Sequence, residues 1–153
     1  MREFRREEAF DAVISMFTSF GYFENPADDA KVLINVYDSL RPGGALLIDV
    51  QGKENLARVF QERDWRPIRM EGREILLLEE RHPLPLWEGI RSRWIFIDDG
   101  KRAEFTVFMR IYAATELVQL LRKCGFVTVD VYGDLSGRPY DHTASRLIAV
   151  ARK

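Results

Sequence analysis

Apolar residues follow two different patterns in the first third of the chain. The segments FDAVISMF (10–17) and ALLIDV (45–50) are apolar on consecutive positions, which is typical of strands covered on both faces. Between them, apolar residues such as Leu33 and Leu40 recur at helical spacing and predict a helix over residues 27–40. A strand, a helix and a strand in this order predict that the two strands pair in parallel.

The ends of these elements carry local signals. Asn25 is a good N-cap for the predicted helix, and Pro26 suits its first turn. Pro42 stops the helix, and Gly43–Gly44 provide the backbone freedom to turn into the next strand. A second helix is predicted over residues 54–62, so the chain begins with the strand–helix repeat of an α/β fold.

The middle of the chain changes to the pattern of an antiparallel sheet. The segments REILLLEE, RSRWIFID and AEFTVFMRIY are strand-like, and Asp99–Gly100 is a hairpin signal. In the third segment Phe105, Val107 and Met109 alternate with other residues, which predicts one packed face and one exposed face. We interpret residues 66–112 as an antiparallel insertion that serves as a lid or a substrate platform.

The last part of the chain returns to a helix followed by strands. A helix is predicted from Thr115 to Cys124, with Thr115 as its N-cap. Gly125 is expected to end it in the left-handed conformation, with Phe126 folded back on Leu121. The strands VTVDVY and RLIAVA follow, and the long loop GDLSGRPYDHTAS between them is a candidate functional segment.

Composition limits the classes of partner. The length suits one domain over residues 1–153, and a net charge of −1 gives no general attraction to nucleic acids or anionic membranes. The apolar runs are too short to span a bilayer, and we expect a cytoplasmic protein. The single cysteine excludes an intrachain disulfide, and His82 and His142 lack ligand spacing, so we expect no metal site.

Four segments in series resemble a known family. FDAVISMFTSFGYF, LRPGGALLIDV, YAATELVQLLRKCGF and GRPYDHTASRLIAVARK are similar to the later two-thirds of class I S-adenosylmethionine-dependent methyltransferases. The resemblance implies an α/β fold: a partial Rossmann-like methyltransferase sheet with an antiparallel β-hairpin insertion and an antiparallel final strand. It also implies S-adenosylmethionine as cofactor and methyl transfer to an acceptor that the sequence does not identify.

One part of the family pattern is not found in this sequence. Family members begin with a strand and a glycine-rich turn for the cofactor, whereas the ten glycines here include no G-x-G. At roughly 30 residues per strand–helix–strand unit, about 80 residues of the pattern are missing. We therefore expect that the chain lacks the N-terminal cofactor-binding half and is inactive alone.

The same comparison predicts an unpaired strand. In the family, the first strand of the sheet lies beside the strand that matches residues 10–17. Without that neighbour, an apolar edge is a template for pairing with another chain. We expect a homodimer or a partner chain at this edge, or marginal stability.

The resemblance also suggests residues on the cofactor side. The segment MREF, with Met1 and Arg2, is similar to the end of the family segment that touches the adenine. Phe17 and Thr18 follow the first strand, at the edge where open α/β sheets bind ligands. The alternative is that these two residues belong to a connecting loop with buried aromatic side chains.

Four residues are candidates for the acceptor side, each with a structural alternative. Tyr22 follows the same strand, and its alternative role is in a connecting loop. Asp49 ends the next strand, where it could orient an acceptor or, as strand-end aspartates more often do, cap a turn. Arg110 could shape the acceptor pocket or pair with Glu104, and Tyr140 could face the acceptor or pack the late loop.

Three functions remain open at this point. The first is an S-adenosylmethionine-dependent methyltransferase, in which the protein aligns the donor and the acceptor and no dedicated base is required. The second is a non-catalytic methyltransferase-like partner subunit that uses the unpaired edge. The third is another Rossmann-like enzyme such as an oxidoreductase, against which the antiparallel ending VTVDVY…RLIAVA argues.

Overall fold

The computed structural model describes residues 2–153, which form two four-stranded sheets. The first sheet contains β1 (Phe10–Ser15), β2 (Leu40–Val50), β7 (Thr128–Tyr132) and β8 (Leu147–Arg152). Their spatial order is β1-β2-β8-β7. β1 and β2 are parallel, as predicted, whereas β8 runs antiparallel to both β2 and β7.

Three helices accompany this sheet: α1 (Pro26–Ser39), α2 (Lys53–Val59) and α3 (Ala114–Lys123). The Asn25 side chain accepts a hydrogen bond from the Ala27 amide at 3.0 Å, which confirms the predicted cap of α1. The second helix is shorter than predicted, because Phe60 already adopts an extended conformation.

The PGG turn lies inside the range of β2 as an irregularity in its pairing. Phe10 pairs with Leu40 and Ala12 pairs with Ala45, so residues 41–44 loop out between the two pairs. β1 itself ends at Ser15, two residues earlier than predicted. The following residues leave the strand because they turn with positive φ angles.

The cap predicted for α3 is wrong. Ala113 precedes the helix, Thr115 lies within it, and the Glu116 carboxylate accepts the Ala113 amide proton at 2.9 Å. The predicted end is confirmed: Gly125 has a φ of +107°, and the Phe126 amide donates to the Leu121 carbonyl.

The second sheet is an antiparallel meander of β3 (Arg63–Met70), β4 (Arg73–Pro83), β5 (Gly89–Asp98) and β6 (Lys101–Arg110). Its antiparallel pairing is as predicted, although its first strand begins three residues before residue 66. A turn at Asp99–Gly100 joins β5 to β6, as predicted. The packed face predicted for β6 is only partly present, since Phe105 is 57% exposed.

The main core lies between the first sheet and the helices α1 and α3, and a small cluster packs α2 against the second sheet. Leu33, Leu46, Leu117 and Leu147 are among the fully buried residues of the main core. The small cluster consists of Leu56, Ile90 and Ile111, with Phe60, Trp87 and Met109 packed against it. Within residues 2–153, no helix has the length and apolar character needed to cross a membrane.

Candidate functional site

The turn that follows β1 is strained and presents an aromatic ring to solvent. Phe17 and Thr18 have φ angles of +53° and +58°, a region that residues other than glycine rarely adopt. The Phe17 side chain is 84% exposed. Strained backbone at the ligand-binding edge of an α/β sheet is often part of a site, because the surrounding structure must hold it in place.

Asp49, at the end of β2, holds this turn. Its Oδ2 atom accepts the Phe17 amide proton at 2.8 Å, and its main-chain carbonyl accepts the Thr18 amide proton at 2.9 Å. The side chain is buried, and its Oδ1 atom accepts a hydrogen bond from Arg146 Nε at 2.7 Å. Both carboxylate oxygens are therefore engaged, and the contacts favour the turn-capping interpretation of Asp49.

Arg146 joins the same group, although the sequence did not identify it. Its Nη2 atom donates to Thr18 Oγ1 at 2.9 Å, so one guanidinium bridges Asp49 and the strained turn. The pairing of β2 with β8 brings the two side chains together, because Asp49 lies opposite Ile148 and Arg146 precedes that position by two residues.

A cleft lies between this edge and the inner face of the second sheet. Tyr22 and Gln51 line one wall, and Glu79, Ser92 and Trp94 line the other. Its volume is about 120 Å³. The remaining lining residues are Leu56, Arg81, Ile90, Val107 and Met109. The predicted acceptor-side residue Tyr22 is thus at the cleft, and its side chain is partly exposed there.

An ion triad centred on one buried carboxylate lies in the wall that the second sheet contributes. Glu79 is 5% exposed, and one of its carboxylate oxygens binds Arg66 Nη2 at 3.0 Å. Arg81 Nη2 binds the other oxygen. Burial lowers the pKa of the Arg81 guanidinium, Asp64 opposes this effect, and the neighbouring Arg66 adds to it. The cleft therefore has a fixed polar patch among aromatic and aliphatic side chains.

Arg110 is committed to contacts within the protein. Its Nε atom donates to Asp29 Oδ2 at 3.2 Å, and its Nη2 atom donates to the Glu24 carbonyl at 2.7 Å. The alternative pairing with Glu104 is wrong, since Glu104 accepts from Arg93 at 2.8 Å. Arg110 therefore links the end of the second sheet to the start of α1.

This link also fixes the segment that carries Tyr22. The Arg110 amide donates to the Gly21 carbonyl at 2.6 Å. Gly21 has a φ of +102°, and a Cβ atom there would lie 2.7 Å from the Arg110 carbonyl oxygen. Only glycine fits this approach without a shift of the backbone. Arg110 thus affects the cleft indirectly, because its main chain fixes the segment that places Tyr22 in the cleft wall.

Asp29 is the buried centre of this link. The side chain is fully buried, and its Oδ2 atom also accepts the Tyr112 hydroxyl proton at 2.6 Å. Burial raises the pKa of the Asp29 carboxyl, although the Tyr112 hydroxyl and Arg110 oppose this effect. Burial and the bond to Asp29 both raise the pKa of Tyr112. Tyr112 therefore stays protonated and acts as a donor.

A larger cleft lies beside Arg110, on the side of the helices. Its volume is about 340 Å³, and Lys53 and Glu116 form an ion pair of 2.9 Å in its lining. The lining also includes Arg110 and Tyr112, which are engaged with Asp29. No group of three or more His, Cys, Asp or Glu side chains that could hold a metal occurs in the part of the chain that the structure describes.

The other predicted site residues lie away from the cleft. The Tyr140 hydroxyl donates to Glu54 Oε2 at 2.9 Å, and its ring packs against the main core, which favours its structural alternative. Burial raises the pKa of this hydroxyl as well. Arg2 is exposed and pairs with Asp28 at 3.1 Å near the start of α1. Met1 lies outside the described residues.

Solved structures of methyltransferases are similar to this chain. An S-adenosylmethionine-dependent methyltransferase from Clostridium acetobutylicum matches with a TM-score of 0.78 at 18% identity, over 99% of this chain and 61% of that one. The CcbJ methyltransferase from Streptomyces caelestis matches with a TM-score of 0.77 at 18% identity, over 95% and 58%. CalS10, an amino pentose methyltransferase from Micromonospora echinaspora solved with S-adenosylmethionine bound, matches with a TM-score of 0.64 at 22% identity, over 99% and 61%.

These matches concern the fold. No family model matches the sequence, and no curated protein matches it either. The chain spans about three-fifths of the length of the solved structures it resembles. Identities of this size establish shared architecture and leave the activity to be argued from the site. Residues 2–153 therefore have the α/β, Rossmann-like fold that S-adenosylmethionine-dependent methyltransferases show over about three-fifths of their length.

Proposed function

We propose that this chain supplies the acceptor side, and one wall of the cofactor site, of an S-adenosylmethionine-dependent methyltransferase. The observation that carries the proposal is the strained turn at Phe17 and Thr18, which Asp49 fixes at the carboxyl end of β1. The turn lies at the edge where open α/β sheets bind ligands, and a cleft with one polar patch adjoins it. The shared methyltransferase fold supports the same reading.

The residues present fit one side of the cofactor. The exposed Phe17 ring offers an apolar, electron-rich face of the kind that attracts a cation such as a sulfonium. When bound, S-adenosylmethionine supplies a methyl group that an acceptor nucleophile can displace from sulfur. The glycine-rich turn that the family resemblance implies for the other side of the cofactor is not among these 153 residues.

The chain contributes alignment and exclusion of water. Tyr22 and Gln51 would orient the acceptor against Phe17, and the second sheet would cover it. Holding a donor and an acceptor in line removes much of the entropic barrier to methyl transfer. A cleft of about 120 Å³ suits a small acceptor or the end of a larger one.

Ligand-observed NMR tests this proposal because it detects weak binding. We expect saturation transfer from the chain to S-adenosylmethionine at millimolar concentration, with the signal reduced several-fold in Phe17→Ala. Phe105→Ala is the matched control, since Phe105 is also an exposed aromatic residue but lies on β6. Absence of any signal with the unaltered chain would contradict the proposed function.

Isothermal titration calorimetry tests whether the cofactor site of this chain is incomplete. We expect residues 1–153 alone to bind S-adenosylmethionine more weakly than micromolar and to be inactive alone, because they contain no G-x-G turn. Micromolar binding by the isolated chain would contradict this part of the proposal and leave the methyltransferase assignment in place.

A second candidate function is a non-catalytic partner subunit. β1 pairs only with β2 among the described strands, and Ile14 on it is 70% exposed. An apolar cavity of about 230 Å³ adjoins this edge and is lined by Phe4, Phe10, Val13, Ile14, Asn35, Val36 and Ser39. An exposed strand edge with an apolar surface favours pairing with another chain.

Light scattering after size exclusion tests the homodimer. We expect a dimer at micromolar concentration that Ile14→Lys converts to a monomer, because the charge would be buried in the pairing. Ile34→Lys, on the exposed side of α1, should leave the dimer intact. A monomeric unaltered chain would exclude the homodimer, and pairing with a different chain would then be tested with defined polypeptides.

A further inference from the structure

We propose that Arg146 is a positioning residue that keeps the Phe17 ring projected from the sheet edge. It does so through Asp49 and Thr18, both of which its guanidinium contacts. The inference rests on the proposed function, because that function gives Phe17 its role toward the cofactor. Arg146 itself is assigned no contact with a ligand.

The turn needs an external restraint. Two consecutive residues with side chains, Phe17 and Thr18, adopt positive φ angles. Such a conformation persists only where the surroundings fix it. The Asp49 main chain supplies one restraint, because its carbonyl accepts the Thr18 amide proton, and the Asp49 side chain supplies another, because its Oδ2 atom accepts the Phe17 amide proton. The orientation of the Asp49 carboxylate therefore decides whether the restraint on the Phe17 amide is in place.

Arg146 determines that orientation. The Asp49 side chain is 3% exposed and carries a charge that needs a counterion. Arg146 Nε binds Oδ1, which leaves Oδ2 directed to the Phe17 amide. The same planar group reaches Thr18 Oγ1, so it restrains the turn at two points. Lysine has a single nitrogen and cannot reproduce this fork.

The sheet itself does not require these contacts. Asp49 pairs with Ile148 in the register of β2 and β8, and six residue pairs from Ala45 to Val50 follow that register. The Arg146 main chain is held separately, by a hydrogen bond from its amide to the Gly133 carbonyl. The guanidinium therefore adds a restraint on the turn to a ladder that is already complete there.

Amide hydrogen exchange measures this restraint without a ligand. In Arg146→Met, we expect the Phe17 amide to exchange at least about tenfold faster, while the amides of β2 and β8 keep their rates. Arg146→Lys should be intermediate. Thr18→Val should have a smaller effect, because it removes only the contact between Arg146 and Thr18. The two effects should not be additive, because Arg146→Met already removes that contact.

Arg138→Met is the matched control, since Arg138 lies in the same loop and its side chain is 66% exposed. It should not alter exchange at Phe17. The proposal is overturned if the Phe17 amide keeps its rate in Arg146→Met. It is also overturned if the β2 and β8 amides accelerate equally, because Arg146 would then support the sheet and not the turn.

Saturation transfer to S-adenosylmethionine separates this inference from the proposed function. Arg146→Met should reduce the signal as Phe17→Ala does, and Arg146→Lys should restore part of it. If exchange responds as expected but the unaltered chain gives no signal, the proposed function fails and the positioning of the turn stands. If the ligand signal is present and identical in Arg146→Met, the positioning inference fails.

Discussion

The two sheets of this molecule are stabilised in different ways. β2 and β8 of the first sheet are central strands, and Leu46, Ile48 and Leu147 on them are almost fully buried. The second sheet buries few side chains, and no residue of its last strand, β6, is fully buried. Its surface instead carries ion pairs such as those that Arg93 forms with Glu80 and Glu104.

This difference shows that the sheet that contributes most to stability is not the sheet that provides the cleft wall. Apolar burial contributes most of the free energy of folding, whereas exposed ion pairs contribute little. The first sheet therefore stabilises the molecule, and the second sheet depends on its main-chain ladder and on the small cluster around Ile90. A sheet held in this way can provide a cleft wall without becoming part of the main core.

The largest expected effect comes from a cavity in the main core. Leu33→Ala should lower the free energy of unfolding by about 2–5 kcal/mol, because Leu33 on α1 is 1% exposed. Urea unfolding followed by circular dichroism measures this change. Leu86→Ala is the control, since Leu86 is 87% exposed and should change the midpoint little. Equal effects of the two substitutions would contradict the central place of the first sheet.

A smaller effect is expected from the ion triad of the second sheet. Glu79→Gln removes the charge that Arg66 and Arg81 share, and we expect a loss of about 1–2 kcal/mol because both arginines are partly exposed. Tryptophan fluorescence reports on this sheet, since Trp65, Trp87 and Trp94 all lie in or beside it.

The control for this substitution is Glu74→Gln, because Glu74 lies on the same strand and is exposed. It should leave the fluorescence transition in place. If Glu79→Gln lowers the urea midpoint followed by circular dichroism as strongly as Leu33→Ala does, then the two sheets unfold as one unit. This result would contradict the conclusion that the two sheets are stabilised in different ways.

The contact between Asp29 on α1 and the end of the second sheet should respond to pH. Burial raises the pKa of the Asp29 carboxyl in the folded state, so the unfolded chain binds fewer protons there. The stability that this group contributes is full below the ordinary aspartate pKa and is lost as pH rises through the folded pKa. Relative to Asp29→Asn, the unaltered chain should therefore lose stability as pH rises through that range.

Tyr112→Phe provides a second test of the pKa of Asp29. The Tyr112 hydroxyl lowers the Asp29 pKa through its hydrogen bond, so its removal should extend the loss of stability to higher pH. Urea midpoints measured at a series of acidic pH values give the comparison. If the urea midpoint of the unaltered chain varies with pH in the same way as that of Asp29→Asn, then a raised pKa at Asp29 is contradicted.

The smallest effect is expected from the surface ion pairs. Arg93→Gln removes contacts with Glu80 and Glu104 on the second sheet, which are partly exposed to solvent and therefore screened by salt. We expect a small decrease in the fluorescence midpoint at low ionic strength and none at high ionic strength. A large decrease that persists in salt would show that these pairs stabilise the second sheet.

The first sheet could be predicted from the sequence because its signals are local. Consecutive apolar residues marked β1 and β2, and Asn25 and Gly125 marked helix ends that the structure confirms. Strand β3 was harder to predict, since Pro67 interrupts its pattern and Trp65 is 69% exposed. It forms because it pairs with β4 along its whole length, which is a tertiary effect.

The site was predictable only where it follows the sheet edge. Phe17, Thr18 and Asp49 could be placed at the carboxyl ends of neighbouring strands from the order of elements alone. Arg146 could not, because 97 residues separate it from Asp49 and the contact depends on the antiparallel return of the last strand. The sequence suggests Arg110 either for the acceptor side or for pairing with Glu104, whereas its partner Asp29 lies on α1 and is fully buried.

The single cysteine has a practical consequence for experiments on this chain. Cys124 follows α3, is 8% exposed, and lies close to the Ala30 carbonyl of α1. Burial raises the pKa of its thiol, so a thiol reagent should react with it mainly when the helices separate from the first sheet. Its rate of labelling therefore measures how often that region opens, while the tryptophans report on the other sheet in the same sample.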